Sequence, residues 1–407
     1  MTLLVSCTIL SCADNKNHME NFNDVIIDQS VLDSATVLVE DSTDYGFKIL
    51  PDAFMLVYND SLLIASNRAR GYGVSLISIF DMKQRMHHLV DYIPYGSDVD
   101  EMVACGIKIV GDELFVHDSY ITHRYCSVNL RRPLRPADEL HLLSSGVDER
   151  GVDAIPYREG LLVENPQCYM DEENGIYNDV PRLLYYKRGK CLTAQKPVTY
   201  QVADVNTGAD IHRSMSHERI CFVSHFQPFV ELYNDSLQLL QRISLQTNEK
   251  QAISVGSPQM TMRQKRVQDG ARISAKIDET RRVVGASNSF HTFLCSAADE
   301  NYIYLVYCGK MLGFDYHTFP AYILLINWDG RLVDSYRYNR WINAISPSSE
   351  KGRFYLTVYA EDDSRNADMK LVKVAPATDS SGRRWNAAKL AESINDSICG
   401  WRTFGRL

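Results

Sequence analysis

Tyr302-Ile-Tyr-Leu-Val-Tyr-Cys308, Tyr322-Ile-Leu-Leu-Ile326, Asn327-Trp-Asp-Gly330 and Arg331-Leu-Val-Asp-Ser-Tyr336 together decide how this chain folds. The apolar and aromatic runs read as strands, because β-branched and aromatic side chains fit a pleated, half-buried surface. Asp329-Gly330 between two such runs predicts a hairpin with a two-residue type I′ turn, whose positive φ values Asp and Gly tolerate. With His291-Thr-Phe-Leu-Cys295 in front, the stretch becomes a four-stranded antiparallel meander. A sheet of that size cannot bury both faces alone, so it demands neighbours of the same kind.

Those neighbours can be read on either side. One unit spans Phe54 to Ile93, a second Ile107 to about Leu140, and a third Val152 to Leu192. A fourth contains Ile220-Cys-Phe-Val223, Phe229 to Tyr233 and Leu237 to Leu245, and the opening stretch is the fifth. The sixth, Trp341 to Val374, has only three strands, and the orphan run Ser34 to Glu40 is expected to supply the fourth by pairing with Lys370 to Val374. Such pairing removes two exposed edges at once. The expected fold class is therefore all-β, a six-bladed β-propeller of four-stranded antiparallel blades closed by an N-terminal strand. Residues 1–33 read as a signal-like segment and linker, 34–374 as the propeller and 375–407 as a tail in which Trp385 to Ile394 has an amphipathic helical pattern. Tyr-Asn-Asp-Ser-Leu occurs at 58–62 and at 233–237, each time where a hairpin turn is needed.

Composition narrows function. With 43 basic against 51 acidic residues and a net charge of −8, the chain lacks the basic footprint of a nucleic-acid binder. No apolar run reaches the roughly 18 residues of a membrane span. The first residues end in Ile9-Leu-Ser-Cys12, which resembles a lipoprotein signal box, with Cys12 as the lipidated residue. A basic n-region is missing, so the segment also reads as an ordinary buried strand. Of the ten cysteines, Cys105, Cys126, Cys191, Cys221, Cys295 and Cys308 sit singly in or beside apolar runs, the pattern of small buried hydrophobes rather than of a disulfide framework.

The segment Tyr95-Gly-Ser-Asp-Val-Asp-Glu-Met102 and the Tyr-Ile-Tyr…Asn-Trp-Asp-Gly hairpin resemble the TolB-like six-bladed propeller family, over about Ser34 to Val374. Asp98 and Val99 stand where that family carries a Gly-Pro pair. The resemblance implies a propeller of the bacterial cell envelope, periplasmic or outer-membrane and held by a lipid anchor. It leaves the activity open, since propellers host many.

In a meander of this kind the loops between second and third strands share one rim, and here they are long and chemically rich. They supply the candidate ligand-binding residues: Arg68, Arg70 and Tyr72; His117, Asp118, Tyr120, His123 and Arg124; and Phe314, Asp315, Tyr316 and His317. Long loops on a rigid scaffold are where binding groups concentrate. The excursion from Gln246 to Ser289 is locally basic and would attract an anionic partner such as an acidic glycan. No catalytic residues, cofactor or metal ligands are assigned: nucleophile elbow, P-loop and dinucleotide fingerprint are all missing. His217, Cys221 and His225 would not converge on a strand as they would on a helix. The expected function is a non-catalytic binding or scaffold protein. The alternative is a propeller enzyme, a lyase or hydrolase, with a metal held at the channel mouth by groups such as His117, Asp118, His123, Asp315 and His317.

Overall fold

The structure is a computed structural model. It describes residues 23–41, 54–66, 75–83, 86–94, 96, 98, 101–102, 106–118, 122–132, 141–142, 153–164, 170–171, 176–177, 183–187, 190–195, 209–225, 229–245, 260–263, 274–277, 290–311, 320–359, 369–378 and 381–386. The chain enters through β1 (Asn23–Ile27), the single turn α1 (Ser30–Asp33) and β2 (Thr36–Glu40). Six antiparallel units follow. The first is β3 (Phe54–Tyr58), β4 (Leu62–Ser66), β5 (Ser75–Asp81) and β6 (Met86–Pro94). The second is β7 (Gly106–Val110), β8 (Glu113–Asp118), β9 (Arg124–Asn129) and β10 (His141–Leu142). In the third, β11 (Ala154–Tyr157) and β12 (Gly160–Glu164) precede a small hairpin, β13 (Met170–Asp171) with β14 (Ile176–Tyr177), before β15 (Leu183–Lys187) and β16 (Lys190–Gln195). The fourth is β17 (Ala209–Ser214), β18 (Arg219–Ser224), β19 (Phe229–Asn234) and β20 (Leu239–Leu245). A second hairpin, β21 (Met260–Arg263) with β22 (Ser274–Ile277), lies within the basic excursion. The fifth unit is β23 (Phe290–Ala298), β24 (Tyr302–Met311), β25 (Ala321–Asn327) and β26 (Leu332–Tyr338), and the sixth β27 (Ala344–Pro347), β28 (Phe354–Tyr359) and β29 (Met369–Pro376). Strands within a unit pair in chain order. Among the described residues no helix is long and apolar enough to cross a membrane.

Each unit carries apolar side chains on both faces, one covered by the preceding unit and the other by the next. Ile64, Ile77 and Ile79 meet Ile107, Leu114 and Val116, and Phe115 meets Leu161, Val163 and Tyr186. Ile155, Leu162 and Tyr185 meet Ile211, Ile220 and Phe222. Val223, Val230 and Ile243 meet Ile303, Leu305 and Trp328. Between units five and six, Phe354 lies edge-on to both Tyr304 and Tyr336. The last cluster joins Tyr355, Met369 and Leu371 back to Met55, Val57 and Leu63 of the first unit. The order of contacts is thus cyclic.

Several local expectations change. Asp329-Gly330 does turn a hairpin, but only Gly330 has positive φ, at 78°. The Gly330 N–H donates to the Asn327 carbonyl, giving a four-residue turn that ends in a left-handed glycine, with a bulge at Leu325 and Ile326. The repeated Tyr-Asn-Asp-Ser-Leu forms two different turns. Asn59 and Asp60 are left-handed in the first, Leu237 in the second, where Asn234 Oδ1 accepts from the N–H groups of Ser236 and Gln238. The N-terminal strand pairs as expected with the last strand, but in a shifted register: Leu38↔Pro376, Val39↔Ala375 and Glu40↔Val374. Its first half, Thr36 and Val37, instead runs parallel to Tyr336 and Arg337, which fuses units five and six into one eight-stranded sheet.

Residues before 34 are more than a linker. β1 adds to β20 as a fifth, parallel strand, and Ile27 and Leu32 are buried in the cluster between units four and five. β1, α1 and β2 therefore form a strap across the outer edges of units four, five and six. The segment after 374 is likewise tied in: Trp385 O accepts from Val37 N at 2.8 Å, and Thr36 bridges Asn386. Trp385 and Asn386 are thus paired rather than helical, and the rest of the expected helix lies outside the described residues.

The turns between first and second strands bind unit to unit. Tyr58 Oη donates to Asp112 Oδ1 at 2.7 Å, joining units one and two. Arg158 Nη2 donates to the Asp235 carbonyl at 2.5 Å, joining three and four. Glu300 accepts from Ser214 Oγ at 2.9 Å and Ser216 Oγ at 2.6 Å, joining four and five. Asp60 Oδ2 accepts from Ser348 Oγ at 3.1 Å and also from Ser349 Oγ, joining six and one.

Candidate functional site

The opposite end of the first strands carries a cluster of charged groups. In β17, Ile211 is fully buried in the core between units three and four. Strand alternation then turns Asp210 and His212 to the other face. Lys108 stands in the same relation to Ile107 and Ile109 in β7. Asp153 immediately precedes β11, and Ser296 lies on β23. Three more groups come from the ends of second strands: His117 in β8, Glu164 at the end of β12 and His225 one residue past β18.

These groups bond across units. Lys108 Nζ forms an ion pair with Asp153 and donates to the Ile211 carbonyl at 2.6 Å, so one ammonium links units two, three and four. Asp153 Oδ2 also accepts from Ile211 N at 2.6 Å, and its Oδ1 lies 3.4 Å from His117 Nε2. Asp210 Oδ2 accepts from Ser296 N at 2.9 Å and Ser296 Oγ at 2.6 Å, and His225 Nε2 lies 3.3 Å from it. His212 Nε2 is 2.7 Å from Ser296 Oγ. Because the serine hydrogen is given to Asp210, His212 must donate there. Glu164 is fully buried; Asp153 N approaches its Oε2 at 3.4 Å, and its Oε1 has no hydrogen-bond partner among the described residues.

Burial opposes ionisation of Asp153, but Lys108 and His117 outweigh it and hold the carboxyl below its ordinary range. Burial is outweighed again at Asp210, by His225 and then Lys108. His225 is raised despite burial, because Asp210 stabilises its proton. For Glu164, burial and then the negative Asp153 act together, and its carboxyl is pushed up to about 8. Burial and then Lys108 bring His212 down to about 4. The cluster thus pairs Lys108 with Asp153⁻ and sets His225, its proton favoured, against Asp210⁻, beside a Glu164 that is protonated and a His212 that is uncharged at neutral pH.

This arrangement does not activate a nucleophile. The Ser296 hydroxyl hydrogen faces a carboxylate too weakly basic to take it, and His212 points its donor, not its lone pair, at the oxygen. Burial raises the thiols of Cys221 and Cys295, and that of Cys126 to about 12, so they stay protonated. Cys126, Cys221 and Cys308 are buried thiols, whereas Cys105 and the side chain of Cys191 lie outside the described residues. Among the described residues no group of three or more His, Cys, Asp or Glu is arranged to hold a metal ion. His217, at the β17–β18 turn, contacts Ser216, while Cys221 is in the core and His225 is at the far end of the strand.

Of the rim residues expected from sequence, His117 belongs to this cluster. Asp118 instead orders its own loop, accepting from Thr122 Oγ1 at 2.7 Å. Arg124 donates to the carbonyls of Asp98 and Glu101, clamping the connection between units one and two. His123 has a left-handed backbone, φ 51°, and its Nδ1 is buried without a hydrogen-bond partner among the described residues. Arg68, Arg70, Tyr72, Tyr120, Phe314, Asp315, Tyr316, His317 and Cys12 lie outside the described residues. Sequence reading missed Lys108, Asp153, Glu164, Asp210, His212 and Ser296. One signal was available: an ionisable residue stands one or two places after a buried valine near the end of the second strand in consecutive units, Val116-His117, Val163-Glu164 and Val223-Ser224-His225.

Fold and site together define an all-β protein of repeated four-stranded units with a charge-paired polar cluster at the end of its first strands. No family model and no curated protein matches the chain. Among solved structures, a member of the DUF4221 family from Bacteroides vulgatus superposes with a TM-score of 0.51 at 10% identity, over 85% of this chain and 100% of that one. A Bacteroides fragilis protein described as exported superposes with a TM-score of 0.46 at 11% identity, over 86% and 99%. At such identity the first likeness shows the fold alone.

Proposed function

We propose that the chain is a six-bladed β-propeller, similar to the TolB-like family, that acts as a non-catalytic binding protein outside the cytoplasm. The cyclic order of the apolar clusters supports the blade count, with β2 completing the sixth blade. The observation that carries the binding reading is the polar cluster itself. Seven ionisable groups are gathered from successive units near the ends of the second strands, although a purely structural ring could be built from apolar residues at lower desolvation cost. Ligand enters from the long-loop rim, where Arg68, Arg70, Tyr72 and Tyr120 on one side and Phe314, Asp315, Tyr316 and His317 on another are the proposed contacts. The basic excursion, residues 246–289, draws anionic partners toward the same rim. Cys12 supplies a lipid anchor to the cell envelope.

Two experiments test this reading. A thermal-shift and glycan-array screen of the full chain is expected to yield a ligand whose binding is lost in an Arg68→Ala, Tyr72→Ala double variant of unchanged melting temperature. Binding that survives this change and a Tyr316→Ala change would move the site off the rim. For the anchor, labelling with a fatty acid should tag the wild type and not Cys12→Ser; equal membrane fractionation of the two would rule the anchor out.

A further inference from the structure

The charge-paired cluster has hydrogen-bonding capacity left over, and that residue of capacity has a definite chemical character. Lys108 uses two of its three ammonium hydrogens, on Asp153 and on the Ile211 carbonyl. At Asp210 all the contacts from Ser296 and His225 fall on Oδ2, and Oδ1 has no hydrogen-bond donor among the described residues. Glu164 Oε1 is sealed from solvent with no hydrogen-bond partner among the described residues. A buried polar atom left in this way costs about 1–3 kcal/mol, so its retention needs a reason. The cluster is also reachable. The side chains of Lys108 and Asp153 keep 12% and 13% exposure, and those of His225 and Asp210 keep 25% and 23%. Glu164 is thus fully buried behind groups that meet solvent, and the recess is the space those groups frame.

The internal pairing decides what fits. An anion entering the recess meets Asp153 and Asp210, and a cation meets Lys108 and His225. A neutral molecule avoids both conflicts. Its groups must also both donate and accept, because unused donors (Lys108 and the protonated Glu164 carboxyl) stand in the same cluster as an unused acceptor (Asp210 Oδ1). Hydroxyl groups do both. We propose that the recess framed by Lys108, Asp153, Asp210 and His225, with Glu164 at its base, binds a neutral polyhydroxylated ligand, a sugar or the uncharged end of an oligosaccharide. This rests on the binding reading given above and specifies the ligand class. Burial and Asp153 push the Glu164 carboxyl up to about 8, so at neutral pH it adds no negative charge to the recess.

The test uses the full chain and named probes in titration calorimetry and saturation-transfer NMR. Glucose, galactose and mannose represent free sugars, maltotriose and cellotriose oligosaccharide ends, and glucuronate and glucosamine the charged counterparts. At least one neutral probe should bind, about tenfold or more tightly than either charged counterpart, and Glu164→Leu and Asp210→Asn should each weaken it about tenfold. Glu164→Gln, which keeps the shape and a donor, should stay within about threefold and serves as the control for folding. Tighter binding of glucuronate or glucosamine overturns the inference, as does failure of all five neutral probes at millimolar concentration. A neutral probe displaced by Arg68→Ala, Tyr72→Ala but indifferent to Asp210→Asn and Glu164→Leu leaves the rim reading standing and sinks this one.

Discussion

The two ends of the first strands use the same polar residues to opposite purposes. At the turn end, Asp60, Asp112, Asp235 and Glu300 each accept from a neighbouring unit, close to solvent. At Glu300 burial resists ionisation, but Ser216 and Ser214 outweigh it and hold the carboxyl below its ordinary range. At the recess end, carboxylates and imidazoles are buried against one another, pulled both up and down from ordinary values, and two carboxyl oxygens are left over among the described residues. The first end is a set of latches that cost little to desolvate. The second is a concentrated desolvation cost, sustained only because each charge has its partner.

That contrast can be broken in several ways. The largest effect is expected from Lys108→Met, which strands Asp153 in the recess: a loss of about 3–5 kcal/mol in denaturant unfolding. Ser349→Ala at the latched end should cost about 0.5–1 kcal/mol; equal losses would erase the distinction.

Next comes pH. The Glu164 carboxyl is raised from its ordinary 4.5 to about 8, so its contribution to stability is full below 4.5 and lost as pH rises through about 8. His225, also raised, acts in the same direction. His212 is lowered to about 4, so its contribution is full above 6.5 and lost as pH falls toward 4. Glu300 is lowered and loses its contribution only in acid. The melting temperature of the wild type should therefore fall from pH 7 to 9, while Glu164→Gln shows a shallower fall. Parallel curves would contradict the protonated state assigned to Glu164.

Removing residues 1–34 takes away β1 and α1 and uncovers the surroundings of Ile27 and Leu32, at an expected cost of about 2–4 kcal/mol. The recess belongs to units two to five, so ligand affinity in folded material should not change. The smallest of the core effects is Gly106→Ala. A Cβ there would stand 2.5 Å from His117 Nε2, so the imidazole must shift, at roughly 1 kcal/mol, and the His117 NMR resonances should move with it.

The same contrast explains what could be read from sequence. Second and third strands such as Ile220-Cys-Phe-Val223 and Tyr322-Ile-Leu-Leu-Ile326 are covered on both faces, so they stand out as apolar runs. β17, Ala209-Asp-Ile-His-Arg-Ser214, did not stand out, and the fourth unit was read without it. Its alternate residues face the recess or the latch, so its composition is that of a loop. The residues that build the site are thus the ones that hide its strand. Register explains the other misses. Whether Glu40 faces Val374 or a residue four earlier depends on β2 dividing its pairing between β26 and β29, which no local pattern encodes. β1 was hidden because Asn-Asp-Val-Ile-Ile pairs on one side only.

The strap also gives the molecule a mechanical polarity. β1 lies parallel to β20 over five successive pairs, Asn23↔Gln241 to Ile27↔Leu245. Tension applied to the N-terminus along that strand loads the rungs together, in shear, rather than opening them one after another as a zipper. Should β1 slip, α1 can pay out as slack before β2 feels the pull. β2 is gripped from both sides, by Tyr336 and Arg337 and by the Val374–Pro376 edge. A chain hauled on from its N-terminus would give way first at an added fifth strand, with the recess and its walls still unloaded.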